Sequence, residues 1–293
     1  MQIEKPKQKQ TWQTSSKGRS VVKVIQAMNT SDGAGVKLRR SLGTDLLPDL
    51  DPFLMLDEFR SDQAGDYIAG FPDHPHRGFE TMTYMLAGAM QHKDHLGNTG
   101  DLRAGSVQWM TAGRGIIHSE MPRQENGLMW GYQLWINLPA AQKMTEPRYQ
   151  DIPPEDIPEL ELPGGKIRVI AGTSSGVKGP VTGIATEPLF VDITLPANSS
   201  LSHDVPAGHN GFVYVVDGQG QFGKSDQTMT EAELGALNKE GNELKIKTGE
   251  RGVRFLLLAA QPIGEPVARY GPFVMNTTLE LEQAFEDFRT GKF

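Results

Sequence analysis

Two stretches of this sequence decide its interpretation: GFPDHPHRGFET at residues 70–81 and GSVQWMTAGRGIIHSEMP at residues 105–122. The first contains His74 and His76, two imidazoles separated by one residue. In a β-strand this spacing places both side chains on the same face. Such a pair predicts a ligand site on one strand.

The second stretch contains a matching pair, His118 and Glu120, with the same spacing. Five of the seven histidines fall between His74 and His118. Two such strands facing each other across a narrow barrel would bring three imidazoles and one carboxylate onto one cation. This set of nitrogen and oxygen ligands suits a divalent transition metal. On an octahedral ion it would leave two positions open for water, dioxygen or a chelating substrate.

Glycine and proline divide the chain into short runs of β-branched and aromatic residues. The 33 glycines and 19 prolines are more than helices would tolerate, and this rhythm predicts an all-β fold. Two strand-like runs, residues 20–28 and 35–42, flank an Asp32-Gly33 turn, which predicts a hairpin.

The chain is long enough for two domains, and its proline-rich and acidic stretch at residues 146–163 suits an extended connection. A capping-box pattern at Thr277 and Glu280 predicts that one amphipathic helix closes the chain. The predicted organisation is an N-terminal metal-binding domain at 1–145, a linker at 146–163, and a C-terminal domain without a metal site at 164–293, including a helix at 278–290.

A weak internal repeat relates the two halves, because HRGF at residues 76–79 lines up with HNGF at residues 209–212. In that register His74 corresponds to Ala207, and Glu80 corresponds to Val213. We therefore expect the second half to lack the polar groups of the first.

Composition excludes several classes of function. The net charge of −7 argues against a nucleic-acid-binding surface, which needs clustered lysine and arginine. The absence of cysteine excludes disulfides, thiolate metal sites and cysteine nucleophiles. No apolar run approaches the roughly 18 residues of a membrane span, and the N-terminal residues lack the apolar core of a secretory signal. We expect a cytoplasmic protein with no membrane partner.

The two opening stretches, with QLWINLP at residues 133–139 and GPFVMNT at residues 271–277, closely resemble the pirins, which are bicupins. The resemblance runs over nearly the whole chain. It implies two stacked cupin (jelly-roll) β-barrels with one metal, usually iron, in the N-terminal barrel. The metal ligands that it implies are His74, His76, His118 and Glu120.

Other candidates are weaker. The general cupin pattern would use Glu80, which makes it an ambiguous further ligand. We expect His92 and His95 to be solvated or near the site without ligating, and His203 and His209 to be structural or exposed. Arg77 and Arg114 favour ion pairs that fix loops over substrate contacts. Residues that line the cavity or simply fill the core are Phe71, Met82, Trp109 and Met110.

The resemblance implies quercetin 2,3-dioxygenase activity, in which an aromatic, flavonol-like enol binds the metal and its ring is cleaved by O2. Glu120 would act as the general base. Fe(II) is the expected metal, while Mn, Ni, Cu, Co and Zn remain open. The alternative is an iron-dependent, redox-sensing regulatory protein that acts through a protein partner with little turnover. A third possibility is a structural metal without reactivity.

Overall fold

The structure is a computed structural model that describes residues 18–293. The first 17 residues of the predicted N-terminal domain lie outside the described residues. Among residues 18–293, no helix has the length and apolar content needed to cross a membrane.

The described residues form strands and one α-helix, with three short 3-10 turns at Ala64–Asp66, Ala140–Gln142 and Pro154–Asp156. The strands of the first half are β1 (Val21–Gln26), β2 (Met28–Asp32), β3 (Val36–Leu42), β4 (Phe53–Ser61), β5 (Phe71–His76), β6 (Phe79–Ala87), β7 (Ala89–Asp94), β8 (Thr99–Arg103), β9 (Val107–Thr111), β10 (Ile116–Pro122), β11 (Met129–Asn137), β12 (Arg148–Ile152) and β13 (Glu159–Leu162). The remaining elements are β14 (Gly165–Ala171), β15 (Thr173–Ser174), β16 (Val177–Lys178), β17 (Leu189–Leu195), β18 (Ser200–Asp204), β19 (Asn210–Phe222), β20 (Gln227–Thr230), β21 (Glu233–Leu237), β22 (Glu243–Lys247), β23 (Val253–Ala260), β24 (Ala268–Tyr270), β25 (Phe273–Met275) and the helix α1 (Thr278–Arg289).

Two large antiparallel sheets dominate the fold. The first has the order β12-β9-β6-β11-β4-β3-β2, and the second contains the path β1-β21-β19-β23-β17-β14-β13. A four-stranded sheet, β5-β10-β7-β8, completes the first barrel, and the β18-β22 pair serves the second. The predicted all-β fold with two barrels and a short C-terminal helix is confirmed.

Two features do not follow a simple division of the chain into an N-terminal and a C-terminal barrel. Strand β1 precedes the first barrel in sequence but pairs with β21 of the second sheet. The predicted linker at 146–163 contains β12, which pairs with β9, and β13, which pairs with β14. The division at 146–163 stays a prediction, and these strands show that the stretch also extends both sheets.

The strands of the first large sheet have two buried faces, which their period-two pattern separates. On β11, Tyr132 and Leu134 belong to a core shared with the second barrel, whereas Gln133 and Trp135 line a cavity inside the first. On β19 the alternate residues Val213 and Val215 join an apolar core that fills the second barrel. The interior of the first barrel is therefore the polar and open one.

A buried polar network joins the two large sheets. Tyr214 of the second barrel donates to Glu58 of the first at 2.6 Å, and Tyr84 of the first donates to Asp192 of the second at 2.6 Å. Both carboxylates are buried, and both also bind arginines, with Arg254 on Asp192 at 2.6 Å. Burial raises the pKa values of Tyr84 and Tyr214, so both hydroxyls stay protonated and donate.

This reciprocal arrangement supports a duplication but corrects its register. Strands β6 and β19 hold the same place in their sheets, next to β9 and β11 in the first and next to β21 and β23 in the second. Matching Tyr84 with Tyr214 shifts the predicted register by an odd number of residues, which exchanges the two faces of a strand. Accordingly, Phe79 contacts Trp135 at the cavity wall, whereas Phe212 packs on Phe53 between the barrels.

The end of the chain returns to the first barrel and packs beside the histidines. The backbone of Arg77 bonds with Pro272 and with Val274, and its guanidinium forms an ion pair of 2.8 Å with Asp287 of α1. Gly78 permits this approach, because a Cβ there would lie 2.0 Å from the Val274 carbonyl oxygen. The predicted capping box of Thr277 and Glu280 begins the helix.

Lys143 also holds the C-terminal segment against the first barrel. Its buried ammonium group donates to the Gly78 carbonyl at 2.7 Å, the Val274 carbonyl at 2.9 Å and the Asn137 side chain at 2.6 Å. Burial lowers the pKa of Lys143 to about 8. One side chain therefore joins the loop after His76 to the C-terminal segment.

The inter-barrel hydroxyls should contribute measurably to stability. Tyr214→Phe and Tyr84→Phe each remove one donor to a buried carboxylate, so each should lower the free energy of unfolding by about 1.5–3 kcal/mol. Urea denaturation of the variants measures this loss. Tyr270→Phe, at a side chain that is 70% exposed, should change stability by less than about 0.5 kcal/mol. Equal effects in all three variants would contradict the network's role.

The depressed pKa of Lys143 predicts a pH signature. Between about pH 8 and pH 10 the unfolded chain holds this proton while the folded chain has lost it, so the wild-type protein gains stability with rising pH. The difference in unfolding free energy between wild-type protein and Lys143→Met should therefore increase across this window, by up to about 1.4 kcal/mol per pH unit. Parallel urea titrations measure it, and a pH-independent difference would contradict it.

Candidate metal centre

The four predicted ligands lie on two hydrogen-bonded neighbours, β5 and β10. In their antiparallel register His118 pairs with His74. The sequence suggested strands that face each other across a barrel, but these two are adjacent in one four-stranded sheet. Their shared face then carries the side chains, since positions i and i+2 of a strand point the same way. The pairing of β10 with β5 is irregular between His118 and Glu120, so Glu120 does not continue the register of the histidines.

Three imidazoles meet at one point. One ring nitrogen from each of His74, His76 and His118 lies within 4.8 Å of the other two, the single such cluster of His, Asp or Glu in residues 18–293. The Nε2 atoms of His74 and His76 are 3.0 Å apart. Adjacent ligands of an ion with metal–nitrogen bonds of about 2.1 Å have this separation. The spacing therefore fits a shared cation.

The protonation states of these rings also fit metal binding. The His74 Nδ1 atom lies 2.8 Å from the Pro72 carbonyl oxygen, to which it donates, so the Nε2 lone pair is left free. His118 is buried, and neither of its ring nitrogens has a hydrogen-bond partner within residues 18–293. Burial, together with the neighbouring imidazoles, lowers the pKa values of His76 and His118 well below the usual range. Neutral imidazole is the form that ligates a metal.

Glu120 is held differently from the histidines. Thr83 donates to one carboxylate oxygen at 3.0 Å, and Gln133 donates to the other at 2.8 Å. Its oxygens are not among the clustered ligand atoms. The structure thus brings together three of the four predicted ligands and places Glu120 two residues further along β10, anchored by two neutral donors.

Glu80, the ambiguous further candidate, lies apart from the cluster. Thr111 donates to its carboxylate at 2.6 Å, and burial raises its pKa. Glu80 and Thr83 are three residues apart on β6, so their side chains project from opposite faces of the strand. Thr83 contacts Glu120, so the carboxyl group of Glu80 points away from that side of the strand.

A cavity of about 820 Å³ opens beside the histidines. His74 and His76 contribute to its wall, and β4, β11 and the C-terminal segment supply much of the rest. The predicted candidate Phe71 lines it, whereas Met82, Trp109 and Met110 are buried in hydrophobic clusters. Its lining includes the charged and aromatic side chains and their neighbours Arg40, Met55, Asp57, Phe59, Asp73, Gln133, Trp135 and Arg269.

The remaining histidines are structural or exposed. His92 is buried beside Gln108, which donates to its Nδ1 atom, and it lies across from Glu120 on β7. His95 Nδ1 accepts from the Ile117 backbone at an exposed position. His203 and His209, which we expected to be structural or exposed, are both buried, and His203 bonds with Ser174.

The two flanking arginines each form an ion pair, as the sequence led us to expect. Arg77 pairs with Asp287, and Arg114 pairs with Glu146 at 2.9 Å.

Sequence reasoning missed several side chains that shape the site. Gln133 and Trp135 could have been found, because their i, i+2 spacing in the QLWINLP stretch puts them on one face. Thr83 had no local signal beyond its place on a strand. Arg269 and Lys143 reach the site through contacts distant in sequence, which no spacing pattern reveals.

Comparisons with known proteins identify the family of this chain. A family model described as Pirin matches residues 35–136, and one described as Pirin C-terminal cupin domain matches residues 190–293. A pirin-like protein from Solanum lycopersicum is 48% identical over 278 residues, covering 94% of this chain and 94% of the relative.

Solved structures show the same architecture. A quercetin 2,3-dioxygenase from Acinetobacter baumannii is 35% identical with a TM-score of 0.86, covering 94% of this chain and 98% of that one. The bacterial pirin YhhW from Escherichia coli in complex with nickel(II) is 18% identical with a TM-score of 0.63, covering 82% and 98%, and this likeness concerns the fold alone. By family model, identity and coverage, the chain belongs to the pirin family.

Proposed function

We propose that this protein is a metal-dependent dioxygenase of the quercetin 2,3-dioxygenase type. The observation that carries the proposal is the cluster of His74, His76 and His118, whose ring nitrogens converge beside a cavity large enough for a flavonol. The likeness to the Acinetobacter baumannii enzyme supports this class of activity.

The three histidines would hold one divalent metal, for which Fe(II) is our proposal, with Glu120 as the fourth ligand. A bound divalent metal supplies Lewis acidity that lowers the pKa of an enol hydroxyl, and Fe(II) also reacts with O2. To reach the metal, Glu120 would give up one of its two hydrogen bonds. Thr83 and Gln133 are neutral donors, so this exchange moves no charge within the protein.

The carboxylate of Glu120 is also the proposed general base. It would accept the enol proton of the substrate, which leaves an electron-rich anion that O2 can attack with ring cleavage and release of carbon monoxide. Gln133 bonds to Glu120 and lines the cavity, so it connects the base to the bound substrate. Phe59, Phe71 and Trp135 supply aromatic walls for a flat substrate.

Removing one imidazole should abolish both metal binding and activity. His118→Ala should retain less than about a tenth of the metal bound by the wild-type protein and show no oxygen uptake with quercetin, because the three imidazoles supply the main hold on the metal and two of them bind it far more weakly. His95→Ala, at an exposed histidine outside the cluster, is the matched control and should behave as wild type. Metal analysis by mass spectrometry and an oxygen electrode measure these outcomes. Retention of metal by His118→Ala would overturn the site.

Glu120 and Glu80 are distinguished by a pair of isosteric substitutions. Glu120→Gln removes the base and should lower kcat with quercetin about a hundredfold or more, while the histidines still bind metal. Glu80→Gln should leave kcat within about twofold, since Glu80 bonds to Thr111 away from the cluster. Steady-state oxygen uptake gives kcat for both. Equal losses would contradict the assignment, and negligible turnover by the iron-loaded wild-type protein would favour a redox-sensing role instead.

A further inference from the structure

Arg269 is an unusual cation in the wall of the cavity. It lies on β24, in the C-terminal segment that returns to the first barrel. Its guanidinium donates to the Leu54 carbonyl at 3.0 Å and contacts the Met55 sulfur at 3.9 Å. A guanidinium has five N–H donors, so these contacts leave part of its capacity free.

The other charged side chains of the cavity wall are ion-paired or exposed to solvent. Arg40 binds Asp57 through two bonds of 2.7 Å and also contacts Asp32 at 3.3 Å. Asp73 is exposed at the rim. Arg269, in contrast, has no carboxylate within 4.0 Å among residues 18–293. It is therefore the wall's cation without an ion pair.

The electrostatic surroundings of Arg269 agree with this. Burial and then the neighbouring charge of Arg40 lower its pKa, while Asp57 and Asp32 offset this only from a distance. A half-buried cation without its own counterion is complementary to an anion that enters from solvent.

One indole ring links Arg269 to the candidate metal centre. The guanidinium carbon lies 4.9 Å from the centre of the Trp135 ring, and the same ring is 5.1 Å from the ring of His76. His76 and Arg269 therefore lie beside the same indole, so a ring system bound at the histidines would have this cation within reach. Met55, Phe59 and Phe71 provide further apolar surface for such a ring system.

We propose that Arg269 binds an ionised oxygen of the substrate, so that the cavity selects aromatic anions, with a carboxylate or phenolate remote from the oxygens held at the histidines. This inference rests on the proposed function for the orientation of the substrate. Arginine suits the role because its planar fork can bind a carboxylate through two parallel hydrogen bonds and its face stacks on an aromatic ring.

Ligand binding without O2 tests the proposal separately from catalysis. The probes are 3-hydroxyflavone, its 4′-carboxylate and its 4′-carboxamide, titrated anaerobically into metal-loaded protein with calorimetric detection. Wild-type protein should bind the carboxylate about tenfold more tightly than the carboxamide, which has a similar shape.

Substitutions locate the preference. Arg269→Gln should abolish the tenfold preference, and Arg269→Lys should retain part of it, because the charge remains but the fork is lost. Arg60→Gln is the matched control: Arg60 also lies over an indole, 4.0 Å from the Trp130 ring, but it pairs with Glu231 outside the cavity. This variant should keep the full preference.

The outcomes separate this inference from the proposed function. An unchanged carboxylate preference in Arg269→Gln, or no preference in the wild-type protein, would overturn the role of Arg269 even if quercetin is turned over. A preference that depends on Arg269 would support the anion site even in a protein without oxygenase activity.

Discussion

The structure depends on the pairing of two short strands, β5 and β10, in the register that sets His118 against His74. This pairing places three imidazoles on one face and buries two of them, where burial keeps the rings neutral. Neutral nitrogens at such short range repel one another unless a cation or a proton lies between them. Burial raises the free energy of the imidazole cluster without a cation. The same burial keeps the nitrogen lone pairs available to bind a metal.

The rest of the molecule supports that cluster from two directions. Behind it, the two large sheets share a core and exchange tyrosine-to-carboxylate hydrogen bonds, which join β4 and β6 to the second barrel. Beside it, the C-terminal segment is fixed by Lys143 and Arg77 to the loop that follows His76. A metal site keeps its ligands in place when well-packed strands and further hydrogen bonds support them.

Local patterns in the sequence predicted a large part of this arrangement. The i, i+2 pairs located His74, His76 and His118, because a strand fixes the side-chain direction of such pairs whatever surrounds them. The capping box located the start of the helix for the same reason. The sequence did not show that β5 and β10 are neighbours, or that Arg269 enters the cavity. Those features depend on strand pairing and chain return over long sequence distances, which local periodicity does not encode.

The most direct test of the central claim is X-ray absorption spectroscopy at the metal edge of anaerobically prepared, iron-loaded protein. The account predicts one metal per chain, with scattering from three imidazole rings and additional light-atom ligands at about 2.1 Å. Substoichiometric metal, or a coordination shell without the outer-ring scattering of three histidines, would contradict it.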